Sequence, residues 1–485
     1  MLQGTGSDVG KSVLVAGLCR WASNQGLSVA PFKPQNMSNN AAVADIPLSD
    51  GSGGEIGRAQ QTQAIAARVA SSVDMNPVLL KPQSETGSQI IVHGKVWGTA
   101  RGRDYQRLKP QLLSAVLESF KRLSAAHDLV IVEGAGSPAE INLRKGDIAN
   151  MGFATAANVP VVLVGDIDRG GVIASLVGTH TILPKQDRDQ IAGFLINKFR
   201  GDVSLFDDGL QQITAFTGWK SFGVVPWLAD AVRLPAEDSV ALEQQARAPN
   251  GHPIIVVPVL SRISNFDDLD PLVQMGDLDV RFLRPHEPWP ENAALVVLPG
   301  SKSTIADLIE FKALGWDEML TRHVAAGGSV IGLCGGYQML GRSVRDPDRI
   351  EGTVAQCDGL GLLDVETVLA GRKRVVNSIA LDAKSGEELS GYEIHMGRTQ
   401  GPDTSRPMLR IDGQADGAMS PDGKVRGCYL HGIFANDAWR HQFLAAIGIE
   451  SKPIRYRQNV DAALDAIAEQ LQACIDPALF ELKPG

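Results

Sequence analysis

The sequence predicts an α/β chain of two domains, the first built on a doubly wound, mostly parallel sheet behind a phosphate loop. Three observations carry this. Residues 4–12 read Gly-Thr-Gly-Ser-Asp-Val-Gly-Lys-Ser and run directly into an apolar helix from Val13 to Trp21. Short apolar runs alternate with helical patterns at the spacing of βαβ units. Residues 327–341, Gly-Gly-Ser-Val-Ile-Gly-Leu-Cys-Gly-Gly-Tyr-Gln-Met-Leu-Gly, place a cysteine in a glycine-flanked turn from strand to helix.

The first loop departs slightly from the strict pattern G-x-x-x-x-G-K-[ST]. Thr5 stands where the first glycine belongs and Gly4 comes one residue earlier, so the loop is one residue longer. Its chemistry stays legible. Backbone N–H groups around Gly4, Thr5 and Gly10 would wrap the phosphates of ATP, Lys11 would reach the β and γ phosphates, and Ser12 could ligate Mg²⁺. An ordinary glycine-rich turn is the bland alternative, and Gly-Lys-Ser at its end argues against it. Only Met1 to Gln3 remain for the preceding strand. That strand is clipped, or the chain begins upstream, since a strand usually needs about five residues.

Leu27 to Phe32 reads as a second strand, followed by Lys33-Pro-Gln-Asn-Met-Ser. Polar residues there suit the ligand side of a parallel sheet or simply a solvated loop. A glycine-rich stretch, 50–54, leads to Glu55-Ile-Gly-Arg58 and an Ala/Gln-rich helix. Between Tyr105 and His127, Leu112, Leu113, Val116, Leu117, Phe120 and Leu123 fall at helical spacing, which predicts an amphipathic helix on a sheet. Leu129-Val-Ile-Val-Glu133 is an apolar strand ending in an acid, which would put Glu133 near the metal held by Ser12. Further strands run Val161 to Val164, ahead of Asp166-Ile-Asp168-Arg-Gly-Gly, and Ile191 to Ile196, ahead of Asn197-Lys198.

Residues 244–253 lack periodicity and carry turn residues, which marks a boundary. The division is 1–245, 252–445 and a C-terminal helical segment, 446–485. Strands resume at Ile254 to Val259 and Ala294 to Leu298, the latter before Pro299-Gly300-Ser-Lys-Ser-Thr. Cys334 follows, with Gly332 and Gly336 two residues to either side. This is the nucleophile-elbow pattern with Cys in place of Ser. A helix N-terminus favours its thiolate, and a buried core cysteine would gain nothing from the glycines. Its base should be a histidine. His431 ends an apolar strand before a glycine and is preferred to His395, which lies within one. Val460, Leu464, Ile467, Leu471 and Cys474 share a helical face, so Cys474 reads as core.

Bulk properties exclude other classes. The chain has 485 residues and a net charge of −9, so no global basic field invites nucleic acid. No run approaches the roughly 18 apolar residues of a membrane span. Five cysteines without C-x-x-C or metal spacing fit a reducing, cytoplasmic setting.

With these residues assembled, the chain resembles the cobyric acid synthase family from end to end. The shared stretches are the long phosphate loop, Lys33-Pro-Gln-Asn-Met-Ser, Gly54-Glu-Ile-Gly-Arg-Ala-Gln, Glu133-Gly-Ala-Gly-Ser-Pro-Ala-Glu, Asp168-Arg-Gly-Gly and Leu195-Ile-Asn-Lys-Phe-Arg-Gly-Asp. Ser261-Arg-Ile-Ser-Asn-Phe, Leu298-Pro-Gly-Ser-Lys, the Cys334 turn, Gly391-Tyr-Glu-Ile-His and Tyr429-Leu-His-Gly-Ile-Phe continue the match.

The resemblance implies a dethiobiotin-synthetase-like ATP domain and a flavodoxin-like class I glutamine amidotransferase domain. It implies a cytoplasmic amidoligase using ATP, Mg²⁺ and L-glutamine on a corrinoid, with a homo-oligomer left open. The implied substrate is adenosylcobyrinic acid a,c-diamide, amidated on its b, d, e and g carboxylates. It places Glu55 beside Ser12 and Glu133 at the metal, Asn197 at adenine, and Gly300 and Gly335 as backbone donors of the oxyanion hole. Lys33, Arg58, Lys81, Arg169, Lys198 and Arg200 are basic candidates for the polyanionic substrate, each equally readable as a solvated charge. Two positions depart from the wider pattern. Gly432 and Ile433 follow His431 where class I domains carry His-x-Glu, so the orienting group is unidentified, and Gly6 replaces a common Ser. The runner-up readings are a cobyrinic acid a,c-diamide synthase and a partition-type ATPase switch.

Overall fold

The computed structural model describes residues 1–84, 87–237, 251–371 and 373–482. The predicted boundary at 244–253 falls mostly outside these residues. The chain forms two α/β units, each on a mostly parallel sheet.

In the first unit the strands lie in the order Val29–Phe32, Leu129–Val132, Leu2–Gly4, Val161–Asp166, Ile191–Phe199 and Lys220–Pro226, all parallel. The first strand is short but central. Leu2 pairs with Val162 on one side and bridges to Glu133 on the other. The strand order reverses around it, which is where an open α/β sheet leaves a crevice for ligands. Loops after Gly4, Phe32, Val132, Asp166 and Phe199 therefore leave from one edge. The amphipathic helix expected at 105–127 spans Gly102–Ala126, with Leu112, Val116 and Leu123 buried.

The second unit has the order Asp279–Leu283, Ile254–Pro258, Ala293–Leu298, Ser329–Leu333, Val425–Cys428 and Ala418–Met419, antiparallel only at the last pair. Apolar clusters fill both faces. A separate antiparallel sheet, formed by Glu388–His395, Arg374–Asp382, Leu409–Ile411 and Gln414–Asp416, carries Tyr392 and His395. Tyr392 and Ile394 of this sheet are buried in one cluster with Ala41, Val43, Leu79 and Ile91 of the first unit.

The last two α-helices divide between the two units. Trp439, Phe443 and Leu444 of helix Asp437–Ala446 belong to the second core. Helix Tyr456–Cys474 returns to the first, where Leu464, Ile467 and Leu471 pack with Leu14 and Leu18 of helix Lys11–Asn24. Close approach is possible because Gly17 stands at the crossing; a Cβ there would lie 2.5 Å from Leu471 Cδ1. Arg20, wholly buried, ties the helices by bonding Asp465 Oδ1 at 3.0 Å and Ala66 O at 2.9 Å. Cys474 lies half-buried against the edge of that cluster.

Candidate active sites

Cys334 closes strand Ser329–Leu333 and caps helix Gly335–Leu340 with φ 51° and ψ −106°. A positive φ at a non-glycine residue is strained, and with this ψ Cys334 also lies outside the left-handed helical region. The flanking glycines are demanded by packing. A Cβ on Gly332 would stand 2.6 Å from Gly336 O, and one on Gly336 would stand 2.1 Å from Leu298 O. Cys334 is buried, and its thiol donates to Ile394 O at 3.6 Å.

Val425–Cys428 pairs in parallel with the strand before Cys334, which brings His431 beside the thiol. Tyr392 locks the His431 backbone through N–H···O bonds of 3.1 and 2.8 Å, and its ring stacks on the imidazole with centroids 5.1 Å apart. The group that orients His431 is Asp268, whose Oδ2 accepts from Nδ1 at 2.7 Å. Its other oxygen accepts from Gly432 N–H at 2.5 Å. Among the described residues His431 Nε2 has no hydrogen-bond partner, and the Cys334 thiol is one of the groups that raise the imidazole's pKa. Burial opposes a charge on this imidazole, but Asp268 and Cys334 outweigh it and push its pKa up to about 10. Asp268 thus supplies what the missing His-x-Glu would have supplied. Gly300 stands close to the imidazole, where a Cβ would lie 3.2 Å from His431 Cε1, and a Cβ on Gly335 would lie 2.7 Å from Ser301 N. His395 instead stacks on Tyr429 and contacts Glu393 Oε2 at 3.3 Å.

At the phosphate loop, Gly10 takes φ 89° and opens the helix. Lys11 Nζ folds back over the loop to Gly6 O and Gly136 O, at 3.3 and 3.4 Å. Ser12 Oγ lies 2.7 Å from Glu133 Oε1 and 2.5 Å from Glu237 Oε2. Lys33 Nζ bonds the same two carboxylates at 2.8 and 2.5 Å. Glu237 was not singled out in the sequence.

Several expected site residues are engaged elsewhere in this structure. Glu55 does not join Ser12 and Glu133. Its carboxylate is closed by Lys81 Nζ at 2.9 Å and by Lys373, which hold its pKa down at about 2 against the upward effect of burial. Asn197 is tied to the phosphate loop by its amide N–H. Its Nδ2 donates to Val9 O at 2.8 Å and lies where Gly10 would need a Cβ, so it braces the loop. Lys33, Lys81 and Arg58 are buried or nearly so and paired, with Glu133, Glu55 and Asp267 respectively. None is a free cation for a substrate. Lys198 pairs with Asp166, Arg169 with Asp8 and Arg200 with Asp168 around the loop mouth. The latter two stay more than half exposed.

A cavity of about 1340 Å³ opens over the phosphate loop. Its walls include Lys11, Glu133, Trp227 and Val232 of the first unit and Val273 and Leu278 of the second.

A model of the CobQ/CobB/MinD/ParA nucleotide binding domain matches residues 1–241. A model of the CobB/CobQ-like glutamine amidotransferase domain matches residues 254–439. Among curated relatives, a cobyric acid synthase of Sinorhizobium sp is 66% identical over 98% of this chain and 97% of its own. Those of Allorhizobium ampelinum and Rhizobium rhizogenes are each 64% identical, over 99% and 100% of this chain and 98% and 99% of their own.

Proposed function

Because this chain belongs to the cobyric acid synthase family, we propose that it makes ammonia from L-glutamine at Cys334 and spends ATP at the 4–12 loop to amidate the b, d, e and g carboxylates of adenosylcobyrinic acid a,c-diamide. The observation that carries this reading is that one chain holds a Cys334–His431–Asp268 triad and, beside the phosphate loop, a partly buried Ser12–Glu133–Glu237 cluster. A partition-type switch needs no amide-cleaving site.

Cys334 thiolate attacks the glutamine carboxamide while His431, held by Asp268, delivers a proton to the leaving ammonia. The backbone N–H groups of Gly300 and Gly335 receive the oxyanion. Water, deprotonated by His431, then clears the glutamyl thioester. In the other unit a substrate carboxylate attacks the γ-phosphoryl group of ATP and ADP leaves, giving an acyl phosphate; Lys11 offsets the charge on the transferred group, and ammonia then displaces phosphate to form the amide. Free carboxylate is a poor electrophile and ammonium is no nucleophile, so ammonia must cross between the units unprotonated.

The Ser12 hydroxyl and the Glu133 and Glu237 carboxylates are hard oxygen donors, and Lys33 already occupies the cationic position between the two acids. They fit Mg²⁺, which is held by one or two carboxylates with phosphate oxygens and water. Mg²⁺ there would neutralise charge on the transferred phosphoryl group. The test is mass spectrometry of adenosylcobyrinic acid a,c-diamide incubated with the protein, ATP, Mg²⁺ and glutamine. Four successive amidations are expected; an unchanged substrate rejects the assignment.

A further inference from the structure

Arg58 opens helix Arg58–Ala67 of the first unit, yet its guanidinium serves the second. Its Nη2 lies 2.9 Å from Asp267 Oδ2, with the two side chains 12% and 10% exposed. Its Cζ stands 4.8 Å from the centre of the Tyr392 ring, the ring that stacks on His431. Asp267 immediately precedes Asp268, the group on His431 Nδ1. Asn265 adds a second tie across the same junction, donating to Tyr392 Oη at 3.0 Å and to Ala41 O at 2.8 Å.

Arg58 is equally tied to the phosphate loop. Its N–H donates to Asn40 O at 3.1 Å and Nη2 donates to Ala41 O at 3.0 Å. Asn40 Nδ2 donates to Ala236 O at 2.8 Å, and Ser38 Oγ donates to Glu237 O at 2.9 Å. Glu237 in turn holds Ser12 and Lys33. A continuous set of hydrogen bonds and ion pairs therefore runs from Ser12 to His431 across the two units.

We propose that Arg58 is a positioning residue that couples the two sites: it fixes the Asp267–Asp268 turn on His431, and a nucleotide that draws Ser12 away from Glu237 alters glutamine hydrolysis through it. The inference rests on the two-site reading above. Coupling needs an element whose arrangement both sites bias, and the 38–41 segment with Arg58 is that element. Asp267 faces Arg58, Asp268, Asp270, His431, Tyr392 and Tyr456. Burial and Asp268 already raise its pKa to about 6 with Arg58 in place. Without that cation Asp267 holds its proton to higher pH, and the turn that sets Asp268 on His431 loses its anchor.

Glutamine hydrolysis and ammonia-dependent amidation are measured on the full chain for wild type, Arg58→Ala, Arg58→Lys and the double variant Arg58→Ala with Asp267→Asn, with and without ATP and Mg²⁺. Arg58→Ala should lower glutaminase kcat by about tenfold or more and abolish its response to ATP. Glutamine KM and ammonia-dependent amidation should stay within roughly threefold. The acid limb of the glutaminase pH profile should move up, and Arg58→Lys should restore part of kcat. The double variant removes both members of the Arg58–Asp267 pair, so it keeps the test open if Arg58→Ala fails to fold; it too should lack the nucleotide response. Equal losses with both nitrogen donors would overturn the proposal by placing Arg58 in the synthase site. An unchanged kcat, acid limb and nucleotide response would overturn it as well. A wild type without Cys334-dependent glutaminase would overturn both this and the two-site reading.

Discussion

Asp268 and His431 are 163 residues apart in the chain and 2.7 Å apart in the fold. The carboxylate arrives on a short helical turn, Phe266–Leu269, and the imidazole on the end of a parallel strand. Asp268→Asn should reduce glutaminase kcat by roughly 10²–10⁴, as loss of an orienting acid does in related triads. The sign of the pH effect follows from the raised His431 pKa. Its charge stabilises the fold fully below the ordinary value of 6.5, and that stability is lost as pH rises through about 10. Wild type should therefore lose more thermal stability than Asp268→Asn between pH 7 and pH 10. Parallel stability curves with intact kcat would remove Asp268 from the site.

The metal assignment separates Glu55 from Glu133 and Glu237. Glu133→Gln and Glu237→Gln should raise the Mg²⁺ concentration needed for ATP-dependent amidation and spare glutamine hydrolysis. Glu55→Gln should leave the Mg²⁺ titration unchanged but strand Lys81 and Lys373, costing about 3–5 kcal/mol of stability. A Mg²⁺ titration shifted by Glu55→Gln in a protein of normal stability would restore Glu55 as a ligand.

Asn197 is predicted to act through the loop. Asn197→Ala removes the 2.8 Å bond to Val9 O and should weaken ATP and GTP alike in equilibrium binding. Selective loss of ATP would show that it reads the base.

The returning helix should hold the first domain together. Leu471→Ala should cost about 2–5 kcal/mol in denaturant unfolding, because Leu471 is fully buried against the phosphate-loop helix. A loss below about 0.5 kcal/mol, typical of a surface site, would contradict that packing.

Most strands of the two parallel sheets and the two chemical turns were legible because their signals are local. Gly332, Cys334 and Gly336 fall within five positions, as do Gly10, Lys11 and Ser12. His431 was legible as a strand end followed by glycine. Asp268 was not, since Asp267, Asp268 and Asp270 read as any acidic turn until the fold brings one of them to His431. Glu237 was missed for the same reason, lying in no pattern of its own. Glu55 was misplaced because spacing does not say where a carboxylate points, and its partner Lys373 comes from 318 residues away. The apolar face of helix Tyr456–Cys474 was visible, but its partner, helix Lys11–Asn24, was not.

The central claim is that two separate sites share one ammonia molecule, and nitrogen-donor dependence tests it most directly. Cys334→Ala and Lys11→Ala are each assayed for amidation with glutamine and with ammonia. Cys334→Ala should fail with glutamine and work with ammonia, better at higher pH where more of it is NH₃. Lys11→Ala should fail with both. If both variants fail with both donors, a single combined site does the chemistry and the two-site account is wrong.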